Sequence, residues 1–146
     1  MTHRFLRAAL LAGLAAAAPV LAQARDTRDA REPFEAEIAR LAGRDAQQCG
    51  IFPLGKDAAS GWACAQAAER AGRPWWLAFE GMGDDSLAGR AAIRTSAGVH
   101  LLLDYDSSPF GSGLYPRLTT MTCPWPVLYQ PAEPVPFDCQ APRPAR

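Results

Sequence analysis

A single α+β domain held by two disulfides is predicted from three observations. Residues 75–106 alternate apolar and polar side chains in three strand-like runs separated by two Gly-bearing breaks, the pattern of an antiparallel meander. An Ala-rich run over 58–71 stands just upstream. Asp57 or Ser60 can cap its start, and Gly72 and Pro74 stop it, so it reads as a helix able to lie close on a sheet. Cys49, Cys64, Cys123 and Cys139 are even in number, as a disulfide framework requires. The expected architecture is an antiparallel sheet of three to four strands covered by that one helix, with a short N-terminal helix and a Pro-rich C-terminal strap.

At the N-terminus Arg4 and Arg7 precede an apolar run from Ala8 to Leu21 that ends in Ala22-Gln23-Ala24. A basic start, a short apolar core and a small-x-small ending make residues 1–24 a secretory signal peptide cleaved after Ala24. The run is too short to span a bilayer, which needs about 20 apolar residues, so no transmembrane segment is expected in the mature chain. Cleavage leaves 122 of the 146 residues, enough for one domain with a real core and too few for two. Arg4 and Arg7 leave with the signal, so 13 basic residues face 15 acidic ones and the net charge is near −2. No Lys/Arg run or basic-aromatic alternation is present, which argues against nucleic acid as a partner.

Residues 25–32, RDTRDARE, carry little to bury and are expected to form a flexible lead-in. The domain is expected to run over 33–139. Phe34, Ile38 and Leu41 then fall on one helical stripe, with Pro33 in the first turn and Gly43 as the stop, which predicts a short helix over 33–41. Residues 45–56 read as a loop. In the first strand Trp75, Leu77 and Phe79 share one face, and Trp76, Ala78 and Glu80 the other. Ala91 and Ile93 of the second strand, with Val99, Leu101, Leu103 and Tyr105 of the third, are expected to line the same inner face under the Ala-rich helix; Arg90 and Arg94 face water. Leu118 to Met121 is a weaker fourth strand. Seven prolines crowd the residues after Cys123, so 124–139 is expected to be an extended strap docked through Trp125, Val127, Leu128, Tyr129 and Phe137. Residues 140–146 are expected to be a disordered tail.

Disulfides form and persist in exported proteins. The cysteines are separated by 14, 58 and 15 residues, unlike the close C-x-x-C pairs of zinc sites. Loop-closure entropy alone favours a long bridge such as Cys49 to Cys139. Strand order favours Cys49 with Cys64 and Cys123 with Cys139, because Cys64 lies in the helix that opens at the acidic end of the sheet and Cys123 leaves the fourth strand at the other.

Two acidic breaks are the places where polar side chains gather: Asp84, Asp85 and Ser86 after the first strand, and Asp104, Asp106 and Ser107 after the third. A meander brings both connections to one end of the sheet. With Glu80, up to five carboxylates would share that rim. Ordinary turns, in which Asp and Ser bond their own backbone, compete with a cation site or a carboxylate pair. The EF-hand template fails because Pro109 stands where Gly is required and Tyr115 where Glu is required. No cofactor is expected; calcium is the metal that carboxylate and hydroxyl oxygens would suit. His100 is the sole histidine left after signal cleavage, and without a G-x-S-x-G elbow it reads as a partly exposed strand residue.

Cys49-Gly50, Trp62-Ala63-Cys64, Arg73-Pro74-Trp75-Trp76, Gly83-Asp84-Asp85-Ser86 and Tyr105-Asp106-Ser107-Ser108-Pro109-Phe110-Gly111 resemble a group of small exported bacterial proteins. These have a cysteine-bearing helix, an aromatic strand, a G-x-D-S loop and a D-S-x-P-x-G loop. The likeness covers about residues 49–123. It implies export and this fold, and it brings no activity or cofactor. The expected role is a secreted or periplasmic binding or envelope-associated structural module whose partner is an envelope protein or small ligand. The alternative is a small hydrolase using Asp84, Asp85, Asp104 and Asp106 with His100.

Overall fold

A computed structural model of the chain describes residues 18–83, 85–109, 115–124, 126–130 and 137–139. The elements in order are α1 (Ala18–Ala42), β1 (Gln47–Pro53), α2 (Ala59–Arg70), β2 (Trp75–Met82), β3 (Leu87–Arg94), β4 (His100–Asp106), β5 (Arg117–Cys123), β6 (Leu128–Tyr129) and β7 (Phe137–Asp138). Asp84, Phe110, Gly111, Trp125, 131–136 and the tail 140–146 lie outside the described residues, as do residues 1–17 of the predicted signal.

The meander is present as β2-β3-β4-β5, each neighbour antiparallel. The sheet has a fifth strand, because β1 pairs parallel with β2 and α2 makes the crossover between them. The sheet is therefore mixed, not purely antiparallel. Residues 47–53 fall within the stretch expected to be a loop. Their alternation is broken by a bulge: register passes from Gln48↔Trp76 to Ile51↔Ala78, so Cys49 and Gly50 together face Leu77. Gly50 sits at φ +106°, where a side chain is strained. The glycine and Pro53 that suggest a turn are thus a bulge and the end of an edge strand.

Both faces of the sheet are covered, whereas one covered face is expected from the sequence. Trp75, Leu77, Phe79, Ala92 and Leu102 pack with Ala65 and Ala68 of α2. Ala78, Ala91, Ile93, Leu101, Leu103 and Tyr105 pack with Phe34, Ile38 and Ala42 of α1 on the other. Ala91 and Ile93 thus do not share a face with Phe79, since Ala78 is the partner of Ala91 and Trp76 of Ile93. Two-residue periodicity assigns each strand two faces but does not register one strand's face to the next. Val99 is exposed.

α1 is long. It runs through 25–32, where a flexible lead-in is expected, and carries Pro33 inside it. Proline removes one helical hydrogen bond. Just upstream, however, Tyr105 Oη donates to the Ala30 carbonyl and Arg31 pairs with Glu80, so this turn has partners on the sheet that its charged composition does not reveal. The residues of α1 that pack on the sheet lie downstream of Ala24.

α2 ends in a glycine turn: Arg73 N–H bonds the Ala68 carbonyl and Gly72 N–H the Glu69 carbonyl, both at 2.9 Å, with Gly72 at φ +65°. The described residues of the strap lie on the α2 face, where β6 and β7 pair antiparallel instead of running on as one extended segment. Val127 and Phe137 are buried, and the Tyr129 ring lies 6.1 Å from Phe79 and 5.3 Å from Trp62. The disulfides join Cys49 to Cys64 and Cys123 to Cys139, the pairing that strand order favours. No described helix is long and apolar enough to cross a membrane.

Candidate functional site

The two acidic turns do meet at one end of the sheet. Gly83 N–H donates to the Ser86 carbonyl (2.8 Å) and closes the β2–β3 turn. Ser107 reaches across to Leu87 twice: its Oγ accepts from Leu87 N–H at 2.8 Å and its N–H donates to the Leu87 carbonyl at 2.9 Å. Asp106 Oδ1 accepts from Ser108 N–H at 3.0 Å, an Asx turn. Ser107 therefore ties the two connections together instead of bonding within its own turn, as the sequence suggests.

The carboxylates of this rim do not converge. Glu80 points to the α1 face, where Arg31 holds it. Asp104 is the direct cross-strand partner of Arg90, which donates to it through Nε and, at 2.9 Å, through Nη2. Asp85 is exposed. Asp106 lies beside Tyr105, whose hydroxyl is raised above its usual pKa first by burial and then by that charge. Among the described residues no group of three or more His, Cys, Asp or Glu side chains could hold a metal ion. Large apolar side chains share this end instead: Met82 is 65% exposed and Tyr115, just before β5, is 79% exposed.

A different polar cluster forms at the opposite end. Trp75, Arg94, His100 and Cys123 are register partners in one row across the sheet, on the α2 face. Glu69, in the last turn of α2, comes down on that row. Its Oε2 accepts from Trp75 Nε1 at 2.7 Å and lies 3.0 Å from His100 Nε2. Arg94 Nε stands 3.3 Å from Oε1, close enough for charge attraction but not aligned as a hydrogen bond. Arg94 Nη1 donates to the Gly72 carbonyl at 2.9 Å. Burial pushes the Glu69 carboxyl up, but hydrogen bonds from His100 and Trp75 and the charges of His100 and Arg94 outweigh it. The carboxyl sits below the usual range.

His100 is partly exposed, its side chain 11% accessible, but it is the first residue of β4 and not a mid-strand position. It is six residues from Asp106 along one strand, about 20 Å at 3.3 Å per residue, so it cannot act with the rim. Its neighbour Cys123 is a disulfide sulfur, and the cluster holds no hydroxyl or thiol nucleophile among the described residues. It joins a helix end to three strands. Glu69 and Arg94 are not singled out by the sequence. One signal was available: Glu69 is the only acid in an Ala-rich helix and occupies its last turn, where the helix dipole disfavours negative charge. A compensating cation was therefore due.

The fold and these clusters define a disulfide-stapled α+β domain with a five-stranded mixed sheet between two helices. The chain matches no family model, no curated protein and no solved structure.

Proposed function

We propose that this chain is an exported bacterial domain, secreted or periplasmic, that works as a binding module and uses the rim end of its sheet to dock an envelope protein or a small ligand. The observation that carries this reading is the contrast between polar and apolar groups there. Glu80 and Asp104 are occupied by Arg31 and Arg90, while Met82 and Tyr115 stand open to solvent beside the acidic turns. Apolar side chains rimmed by acidic and hydroxyl groups suit recognition, since burial of the former drives association and the latter fix orientation.

Two disulfides and a signal-like N-terminus support export, as does the resemblance to small exported bacterial proteins. The hydrolase alternative needs His100 beside the acidic turns, and His100 lies at the other end, engaged with Glu69.

The test is capture from envelope extract by the mature protein, with and without calcium, comparing wild type with Met82→Ser and Tyr115→Ser. Capture of a defined partner that both substitutions weaken supports the reading. A hydrolytic turnover abolished by Asp85→Asn or His100→Ala, with capture unaffected by the rim changes, would replace it with the enzyme.

A further inference from the structure

We propose that the outer edge of β5 pairs antiparallel with the β5 edge of a second copy of this chain, about a two-fold axis perpendicular to the sheet at Thr120. This would join two five-stranded sheets into one of ten strands. The inference is independent of the rim reading.

β5 is the last strand in the sheet order, paired on one side with β4, and its other edge has no strand among the described residues. Arg117 to Thr122 are all exposed and only Cys123 is buried. An edge of this kind presents a row of backbone donors and acceptors, and proteins normally blunt it with a bulge, a proline or charges. The opposite edge is blunted: β1 carries a bulge at Cys49 and Gly50 and ends in Pro53. β5 has none of these devices beyond Arg117 at its start. Its register with β4 is unbroken from Arg117 to Cys123, and Leu118-Thr119-Thr120-Met121-Thr122 contains neither charge nor proline.

Charge and side-chain parity then select the partner's direction. Arg117 is the single charge on the strand and stands at one end. Parallel, in-register pairing would set Arg117 against Arg117, and like charges directly opposite are unfavourable. Antiparallel pairing sends the two arginines to opposite ends, each facing the other copy's Cys123. A two-fold perpendicular to the sheet keeps each face continuous, so paired positions must have side chains on the same face. Centred on Thr120, the pairs are Thr120 with Thr120, Leu118 with Thr122 and Thr119 with Met121, all of which satisfy that condition. Leu118 and Met121, 38% and 48% exposed, lie on opposite faces, so each face of the joint gains an apolar side chain from both copies. Residue pairing of the same patch with itself is the closed, isologous geometry that stops at a dimer.

Sedimentation of the full chain with both disulfides oxidised, across a concentration series, tests this. Wild type is expected to show a reversible monomer–dimer equilibrium. Thr120→Lys and Thr120→Glu each set like charges across the axis, and each alone is expected to raise the dimer dissociation constant by about fivefold or more. An equimolar mixture of the two sets Lys against Glu and is expected to restore the dimer. Far-ultraviolet circular dichroism confirms that the variants fold, which the exposure of Thr120 leads one to expect. A wild type that stays monomeric at every concentration, a dimer indifferent to Thr120→Lys, or a mixture that fails to recover would overturn the proposal. A monomer that takes up an extended peptide at this edge would do the same and assign the edge to a foreign strand.

Discussion

His100 Nε2 lies 3.0 Å from Glu69 Oε2, joining the start of β4 to the last turn of α2 across 31 positions of sequence. The same carboxylate takes the Trp75 indole N–H and faces Arg94, so one acid fixes how the helix end sits on three strands.

That contact sets an acid dependence. Glu69 has a depressed pKa, chiefly because its hydrogen bonds from His100 and Trp75 overcome the opposing effect of burial. A group depressed on folding contributes stability that is fully present above its unfolded pKa and is lost as pH falls through its folded pKa. The loss therefore belongs below the ordinary glutamate value of about 4.3. In thermal melts from pH 7 to pH 3, wild type should lose midpoint faster than Glu69→Gln below about pH 4. Glu37, lowered by its hydrogen bond to Arg40, titrates in both proteins and cancels in the comparison. Parallel curves would show that Glu69 is not ionised against these partners.

Gly61 opens α2 where the helix crosses the sheet. A Cβ there would stand 2.5 Å from Phe52 Cε2 and 2.7 Å from Leu77 Cδ1. Alanine improves helix propensity by up to about 1 kcal/mol, whereas overpacking costs about 1–3 kcal/mol. The crowding should win, and Gly61→Ala should lower stability by about 1 kcal/mol in urea unfolding. A gain would mean that α2 rides higher on the sheet than these distances state.

Phe34 and Phe79 are the large buried anchors of the two faces, at 0% and 2% exposure. Phe34 stacks on Tyr105 at 5.2 Å, and Phe79 meets Phe137 of the strap at the same separation. Truncating either to alanine should cost about 3–5 kcal/mol. Denaturant titration of both variants checks it. A loss below 1 kcal/mol at Phe34 would mean that α1 does not cover its face.

Calcium should leave the protein unchanged. Glu80 and Asp104, two of the rim's carboxylates, are already held by Arg31 and Arg90. Melts with millimolar calcium and with chelator should share one midpoint. Stabilisation of about 2.7 kcal/mol at a hundredfold excess over Kd would be the signature of a site and would refute this expectation.

The candidate site was half legible. Asp106, Ser107 and their turn could be placed at one end with the β2–β3 connection because a meander dictates which loops are neighbours. That Asp104 belongs to Arg90, and Glu80 to Arg31, could not be read, since both pairings depend on register and on where α1 lands. Of the Glu69 cluster only the lone acid at the helix end could be noticed; its partners come from β2, β3 and β4 and meet it only after the helix docks.

By itself the sequence indicated the meander, the Ala-rich helix over the aromatic face and the disulfide pairing that strand order favours, because periodicity and loop connections act over short stretches. Tertiary structure alone decided that β1 joins as a parallel strand and that α1 covers a second face. It also decided that His100 meets Glu69, far from the acidic turns. Each of these rests on contacts between distant residues, where burial and ion pairing outweigh the local preferences of Gly50, Pro33 and Glu69.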